Sequence, residues 1–401
     1  MGAERSAPRR VGVYQDGPFR LVESDDGLRV APDPADAPFF RFVTQVAEPF
    51  DSFVVFARVV ATDSAGAPSL LPPRTQVVRL PDYGNLRRLH SVAGAAFRTC
   101  SSFWRGLSDV DVVWAFGPHP FELALIVLAR LRGRRVVLGV RQDTPEYFRA
   151  RLPSPRWKPI LAGIQGMDGL HRLLARRIPA TVVGSANAKR YSSRRGRVLM
   201  MMPSLVQEAD VVREPPQRDW SGVIDLLTVG RIDAEKNPFL LLDALAEIER
   251  SRPGRFRLRW AGVGPLADAV RSRANELGIG ARVELLGYVP FGPELLDLYR
   301  RSHMFVHVSL TEGVPHVLHE TLASGTPVVA TDVGGVRDAL DDGEAGLLVP
   351  PGDAAALVAA VFRLADDEEL RSRVVEHGLG LARERTLEKE AARAAAFLMN
   401  A

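Results

Sequence analysis

Short apolar runs rich in valine alternate with longer amphipathic stretches along the whole chain. Apolar runs of about four to eight residues suit the buried strands of a parallel sheet, and the amphipathic stretches suit the helices that cross between the strands. A polar, proline-bearing stretch at residues 207–222 interrupts this rhythm, which restarts after it. We therefore predict an α/β protein with two Rossmann-like, doubly wound domains that face each other across a cleft.

The pattern also predicts individual elements. In the front half we expect strands at 10–14, 52–60, 75–80, 110–116 and 135–140 and helices at 39–50 and 121–132, with a loop at 64–74. In the back half we expect strands at 224–229, 257–261, 282–286, 304–308, 327–330 and 346–349, and helices at 238–249 and 266–277. These elements predict a first domain at 1–206 and a second at 207–384. A final helix, within about 385–401, is expected to cross back and complete the first domain.

The composition is typical of a globular protein. The length of 401 residues fits two domains, and 46% of the residues are apolar and 25% charged. The single cysteine, Cys100, cannot form an internal disulfide, and no apolar core follows the basic first ten residues. We therefore expect a cytoplasmic protein, with peripheral attachment at the inner face of the membrane as an alternative.

The net charge of +4 conceals an uneven distribution. Residues 1–205 carry 30 Lys and Arg against 17 Asp and Glu, and residues 130–197 alone carry 17 against 3. Such an excess is typical of an arginine-rich surface or of a face that meets an anionic partner. A phosphate-bearing acceptor or an anionic membrane, with Trp157 at its interface, would suit this charge. Nucleic acid is not expected, because the stretch has no interleaved aromatic residues and no binding motif.

The densest chemical signal is TEGVPHVLHETLASGTPVVAT at residues 311–331, which follows a predicted buried strand. Pro315 suits a first helical position and Gly325 a helix end, so we predict a short helix at 315–324. The free N–H groups of its first turn would bind a phosphate. Glu320 lies roughly 7.5 Å further along the axis, where it would accept hydrogen bonds from ribose hydroxyls. Glu312 would face a sugar on the other side of the diphosphate.

A second cluster, LLTVGRIDAEKNP at residues 226–238, places two cations after a strand that ends near Gly230. The guanidinium of Arg231 can bind phosphate oxygens through paired donors, and the ammonium of Lys236 acts as a point charge. Together they can neutralise a diphosphate leaving group without a metal. We find no convincing metal-binding Asp-x-Asp and no convincing His/Cys pair with metal-ligand spacing, so we predict no metal.

Taken in order, these residues, with Gly262, Gly264, Gly287, the Gly334-Gly335 pair and Asp338, resemble the carboxyl-terminal domain of retaining GT4-type glycosyltransferases of the GT-B fold. The resemblance extends over residues 226–351. It implies a nucleotide-diphosphate-sugar donor, UDP- or GDP-linked, and no cofactor. It also implies these roles: Arg231 and Lys236 at the diphosphate, Glu320 on the ribose, Glu312 with the backbone of Gly313, Val314 and Pro315 on the sugar, and Val289 near the base. Gly230 would be a further donor-binding residue.

The front half resembles this family less closely. Members commonly carry a double glycine after the first strand and a histidine after the fifth. Here the first loop reads YQDGPF, with Gly17 alone, and the later position reads VRQDTPEY, so Arg141, Gln142 or Asp143 replaces the histidine. His119, which lies between two prolines at a predicted strand end, is a second candidate. We therefore predict Asp143 and His119 as catalytic residues on the acceptor side and Gly17 as a donor-binding residue.

Three other functions compete with a glycosyltransferase. The segment AGVGPLADA also matches a dinucleotide fingerprint, with Glu284 twenty residues beyond Gly264, but Glu284 falls early in its predicted strand. An epimerase or a phosphorylase on the same scaffold would need groups that we do not find. The main alternative is a catalytically inactive GT-B accessory protein that binds nucleotide sugar, because the loops of the amino domain depart from the family pattern.

Overall fold

The computed structural model describes residues 9–24, 27–32, 37–60, 69–72, 74–82, 89–142, 144–151, 154, 157–194 and 196–401. The chain divides into two compact units, one formed by Met1–Pro203 with Glu388–Ala401 and the other by Ser204–Leu387. Within the described ranges, no helix combines the length and the apolar character that a bilayer span requires.

The first unit contains a nine-stranded sheet. Its strands are β1 (Arg10–Ser24), β2 (Gly27–Pro32), β3 (Ser52–Val59), β4 (Ser69–Leu70), β5 (Thr75–Leu80), β6 (Val112–Gly117), β7 (Arg135–Val140), β8 (Ala180–Val183) and β9 (Val198–Met201). Its first six helices are α1 (Ala37–Ala47), α2 (Leu89–Gly106), α3 (Pro120–Leu131), α4 (Thr144–Arg151), α5 (Lys158–Ala175) and α6 (Ser185–Tyr191). The predicted loop at 64–74 lies partly outside the described residues, and its Ser69–Leu70 forms β4.

Seven strands of the first sheet run parallel in the order β5-β3-β1-β6-β7-β8-β9. The strand order reverses between β1 and β6, because the chain builds outward from β1 to β5 and then returns to the other side of β1. Such a switch point opens a crevice at the carboxyl ends of the two strands.

The prediction that the first strand ends at Tyr14 is wrong. Strand β1 continues to Ser24, and its second half pairs antiparallel with β2, from Phe19 opposite Pro32 to Ser24 opposite Gly27. The register with β3 shifts between Tyr14 and Pro18, so the chain passes this irregularity without leaving the sheet. An irregularity of this kind accommodates a glycine and a proline within the strand, although these residue types are typical of a loop.

The second unit contains a six-stranded sheet, entirely parallel. Its strands are β10 (Ile224–Val229), β11 (Phe256–Ala261), β12 (Val283–Gly287), β13 (Met304–His307), β14 (Val328–Thr331) and β15 (Leu347–Val349). Its helices are α7 (Pro238–Ser251), α8 (Ala267–Glu276), α9 (Pro293–Arg301), α10 (His316–Ala323), α11 (Val336–Ala339), α12 (Ala354–Asp366) and α13 (Glu368–Glu384). The order β12-β11-β10-β13-β14-β15 places the switch point between β10 and β13.

The strands of the second unit match the predictions closely because helices cover the sheet and bury its strands. Leu226, Leu258 and Val306 are almost fully buried and pack in one core with Leu245 of α7 and Val361 of α12. Burying such a side chain stabilises a fold by about 1.5–3 kcal/mol, which requires a continuous apolar run in each strand. The apolar runs in the sequence therefore mark these strands clearly.

Helix α14 (Leu387–Met399) ends the chain and belongs to the first unit. The carboxylate of Glu390 is almost fully buried and accepts a hydrogen bond of 2.9 Å from the backbone N–H of Met202. This bond fastens the helix to the segment that follows β9.

The stretch at 207–222 is attached to the second unit. The N–H of Val212 donates to the carbonyl of Ala323 at 2.9 Å. The guanidinium of Arg218 donates to the carbonyl of Gly325 at 2.9 Å and to the hydroxyl of Thr326 at 2.8 Å. The polar stretch that separates the two predicted domains is thus held by the carboxyl end of α10.

Candidate active site

Two predicted site residues meet at the switch point of the second sheet. Lys236 lies in the loop after β10 and Glu312 in the loop after β13, and the Lys236 ammonium donates a hydrogen bond to Glu312 Oε1. The two loops are also joined through their backbones, since the N–H of Leu310 donates to the carbonyl of Glu235 at 2.8 Å. Both side chains are largely buried, with 21% and 12% of the side-chain surface exposed. The fold therefore builds a fixed ion pair where a doubly wound sheet binds its ligand.

His307 also contacts Glu312, although it is not among the residues predicted from the sequence. It is the last residue of β13, is buried, and its Nε2 lies 3.0 Å from Glu312 Oε1. Burial acts to raise the pKa of Glu312, but the contact with His307 and the charge of Lys236 outweigh it and hold that pKa well below its ordinary value. Glu312 is therefore an anion at every physiological pH. The available sequence signal was a histidine at the end of an otherwise apolar strand.

The double glycine after β14 fixes the backbone beside Glu312. Gly334 has a φ of +52°, and a Cβ placed on it would lie 1.9 Å from the Glu312 carbonyl oxygen. The N–H of Gly335 donates to the Gly313 carbonyl at 2.7 Å. Only residues without a side chain allow this approach. By contrast, a Cβ on Gly313 would meet no atom within 4 Å, so Gly313 faces open space.

Helix α10 begins next to this loop. Pro315 caps it in an extended conformation, with φ −74° and ψ 121°, so the helix starts at His316, one residue later than predicted. The proline cannot donate, and the first N–H groups of the helix have no carbonyl partner within it. Val314 lies in the same short connection between Glu312 and the helix. The amino end of α10 therefore offers backbone donors and a positive dipole end to an anion.

Glu320 lies one turn further along α10 and is 5% exposed. Its Oε2 accepts a hydrogen bond of 2.9 Å from the hydroxyl of Tyr299, on α9. Burial raises the pKa of Glu320 to about 7, although the Tyr299 hydrogen bond acts in the opposite direction. Near neutral pH the carboxyl group is thus divided between its protonated and its ionised form.

The remaining predicted residues of the second unit also lie just after strands of its sheet. Arg231, after β10, is exposed, and its guanidinium contacts its own loop, at 3.0 Å from Asp233 and 3.2 Å from Glu235. Gly230 has a φ of +147°, and its carbonyl accepts a hydrogen bond from the Trp260 indole at 3.1 Å. Val289 is partly buried and follows β12, the second strand from β10.

The switch point of the first sheet holds a second polar cluster. His119 follows β6, and its Nε2 lies 3.4 Å from Asp16 Oδ2, in β1. The hydroxyl of Tyr14 donates to Asp16 Oδ1 at 3.1 Å, and the N–H of Phe121 donates to His119 Nδ1 at 3.3 Å. Burial lowers the pKa of His119, an effect that the Asp16 carboxylate partly offsets. The imidazole is therefore neutral at pH 7, with its Nε2 directed at Asp16.

The other front-half predictions have different outcomes. Gly17 lies buried within β1, at the irregularity, and not in a loop after the strand. Asp143 lies outside the described residues. Arg141 follows β7 with its guanidinium 4.2 Å from the centre of the Phe39 ring, and Gln142 is exposed. Within the part of the chain that the structure describes, no three His, Cys, Asp or Glu side chains group as a metal site requires.

Comparison with known proteins identifies the second unit. Residues 215–379 match the family model for glycosyl transferases group 1. The match covers most of the second unit and less than half of the chain. The resemblance to GT4-type glycosyltransferases that the motifs indicated is thereby confirmed.

Individual relatives match part of this chain. A D-inositol 3-phosphate glycosyltransferase of Corynebacterium efficiens is 38% identical over 158 residues, 37% of this chain and 37% of the relative. An alpha-D-kanosaminyltransferase of Streptomyces kanamyceticus is 32% identical over 192 residues, 46% of this chain and 48% of the relative. The chain thus aligns with less than half the length of these relatives.

Solved structures share the fold of both units. Sucrose-phosphate synthase from Thermosynechococcus elongatus superposes with a TM-score of 0.68 at 19% identity, over 96% of this chain and 97% of that one. Anabaena HepE in complex with UDP gives a TM-score of 0.65 at 15% identity, over 97% and 98% of the two chains. The fold is GT-B, as predicted.

Proposed function

We propose that this protein is a retaining glycosyltransferase that moves a sugar from a nucleotide-diphosphate-sugar donor to an acceptor hydroxyl without a metal. The observation that carries the proposal is the ion pair of Lys236 and Glu312 at the switch point of a group 1 unit, beside the amino end of α10. The site thus contains a cation, a set of backbone donors and two carboxylates. This set of groups suits a diphosphate that carries a sugar on one side and a ribose on the other.

In the structure both predicted diphosphate-binding cations contact carboxylates. Lys236 contacts Glu312, and Arg231 contacts Asp233 and Glu235. An incoming diphosphate carries more negative charge than one carboxylate and competes for both cations. Glu312 would then be free to accept hydrogen bonds from the donor sugar, and ionised Glu320 to accept them from the ribose.

The proposed reaction breaks the bond between the anomeric carbon and the diphosphate oxygen. The acceptor oxygen forms the new bond on the same face of the sugar, and its proton passes to the departing diphosphate. Lys236 and Arg231 stabilise the negative charge that develops on the leaving group, and α10 adds its dipole. The protein thereby supplies positioning and charge rather than a strong general base.

The relatives narrow the proposed substrates. HepE structures hold UDP and UDP-glucose, which supports a uridine donor, with GDP-linked sugars as the alternative. The Corynebacterium relative is named for inositol 3-phosphate, and residues 130–197 here carry 17 basic against 3 acidic residues. We extend the proposal to a phosphate-bearing or otherwise anionic acceptor bound by the first unit.

The test is to incubate the purified protein with a panel of UDP- and GDP-sugars and to measure nucleotide release. We expect slow donor hydrolysis without acceptor and faster release with sugar phosphates than with neutral sugars. Nucleotide binding without release under any condition would favour the inactive accessory protein. Absence of both binding and release would refute the proposal.

A further inference from the structure

One face of α2 exposes aromatic and basic side chains together. Its buried side is formed by Ala95, Thr99 and Phe103, at helical spacing. The opposite side carries Phe97, which is 80% exposed, and Trp104, which is 37% exposed. Phe97 and Trp104 are seven residues apart and so lie on the same face of the helix. Exposed aromatic residues on a surface helix mark a contact surface rather than a core.

Arginines accompany these aromatic residues. Arg98 and Arg105 are also seven residues apart, and their Nε–H groups approach only carbonyls of their own helix, those of Gly94 and Ser101, each at 3.4 Å. Among the described residues, neither guanidinium contacts a carboxylate. The whole of α2 contains no Asp or Glu. The positive charge on this face is therefore not neutralised by its own helix.

A pocket of about 330 Å³ lies between α2 and the carboxyl end of β5. Its lining includes Arg79, Arg98 and Arg105 together with Phe97, and none of the described residues that line it is acidic. Three guanidinium groups around one pocket suit a phosphate group, and the adjoining phenyl ring suits an apolar chain.

Helix α3 extends this face. The Arg132 guanidinium lies 4.4 Å from the centre of the Trp104 ring, which connects the end of α3 to α2. Val127 and Leu131 are 57% and 71% exposed on α3. The one acidic residue of α3, Glu122, is fully buried, so it adds no negative charge to the surface.

We propose that this α2 face, comprising Arg79, Phe97, Arg98, Trp104, Arg105 and Arg132, docks the protein on an anionic lipid bilayer. The pocket takes a lipid phosphate, while the aromatic rings enter the interface between headgroups and acyl chains. Because arginines and aromatic residues share this face, a bilayer suits it better than a soluble anion, which would leave the aromatic side chains exposed to water. This surface differs from the earlier expectation, because Trp157 is partly buried before α5.

Vesicle sedimentation tests the docking independently of transfer activity. The wild-type protein is expected to sediment with phosphatidylcholine vesicles that contain phosphatidylglycerol, to stay in solution with phosphatidylcholine alone, and to dissociate at high salt. The variant Arg98→Ser/Arg105→Ser should bind roughly 30-fold more weakly, at about fivefold for each arginine near the surface. Phe97→Ser/Trp104→Ser should also lose binding while retaining net charge.

A matched control is Arg363→Ser/Arg373→Ser, which removes the same charge from exposed positions on α12 and α13 of the second unit. It should sediment like the wild type. Trp104 should be quenched by brominated phosphatidylglycerol, and part of the quenching should disappear in Trp104→Phe. The proposal would be overturned by equal binding to both kinds of vesicle or by no binding to either. It would also be overturned if the control and the α2 variants lost vesicle binding equally. Capture by heparin without vesicle binding would assign the face to a soluble polyanion and overturn it too.

Discussion

Replacing Glu320 by glutamine should make the unliganded protein more stable at neutral pH. Burial raises the pKa of Glu320 to about 7, whereas the ordinary value is 4.5. The folded protein therefore retains a proton that the unfolded chain releases, and stability falls as the pH rises from 4.5 to 7 and is then constant. At 1.36 kcal/mol per pH unit, the loss reaches about 3 kcal/mol above pH 7. The E320Q variant does not titrate and avoids this loss, and its amide oxygen can still accept the Tyr299 hydrogen bond.

Urea unfolding of the wild type and E320Q at about pH 5 and about pH 8 measures this effect. The stability gain of E320Q should increase by roughly 2–3 kcal/mol between the two pH values. The control Glu376→Gln changes an exposed carboxylate of α13 and should alter stability by less than about 0.5 kcal/mol at both. A gain that does not depend on pH would refute the reasoning. The same E320Q substitution should weaken nucleotide binding, because the amide replaces a charged acceptor.

Two further predictions concern the loops at the second switch point. Lys236→Ala should lower turnover by about 10²–10³-fold, because the charge on the leaving group is no longer stabilised. It should also destabilise the unit by roughly 3 kcal/mol, because Glu312 stays buried without its cation. Turnover at the wild-type rate would count heavily against the proposal. Gly334→Ala should lower stability by about 1–3 kcal/mol, since its Cβ meets the Glu312 carbonyl. The added Cβ of Gly313→Ala meets nothing within 4 Å, so this variant should keep the melting temperature of the wild type and yet bind the donor more weakly. A similar melting temperature for the Gly334 and Gly313 variants would contradict the packing argument.

The strands of the second unit could be predicted from the sequence one by one. Each of its six strands was placed within one residue of its observed bounds, because burial on both faces demands an uninterrupted apolar run. The motif residues Lys236 and Glu312 meet in the structure because both follow strands that flank the switch point, and their roles stay predictions. The role of His307 could not be predicted, because in the sequence it looks like one more residue of the strand. Only the structure shows its contact with Glu312.

The first unit was harder to predict because tertiary pairing overrides its local signals. Gly17 and Pro18 are typical of a loop, yet the sheet carries them through an irregularity in β1. This extension puts Asp16 beside His119, a contact over a hundred residues apart in sequence that no local pattern indicates. Helix α2 was also missed, and two of its large apolar side chains, Phe97 and Trp104, are exposed.

The central claim is that the switch point of the second unit holds a nucleoside diphosphate. A crystal structure of the protein soaked with UDP or GDP tests it most directly. We predict the diphosphate between Lys236 and the amino end of α10, with the ribose hydroxyls on Glu320. A nucleotide bound elsewhere on the chain, with the contact between Lys236 and Glu312 unchanged, would contradict the account.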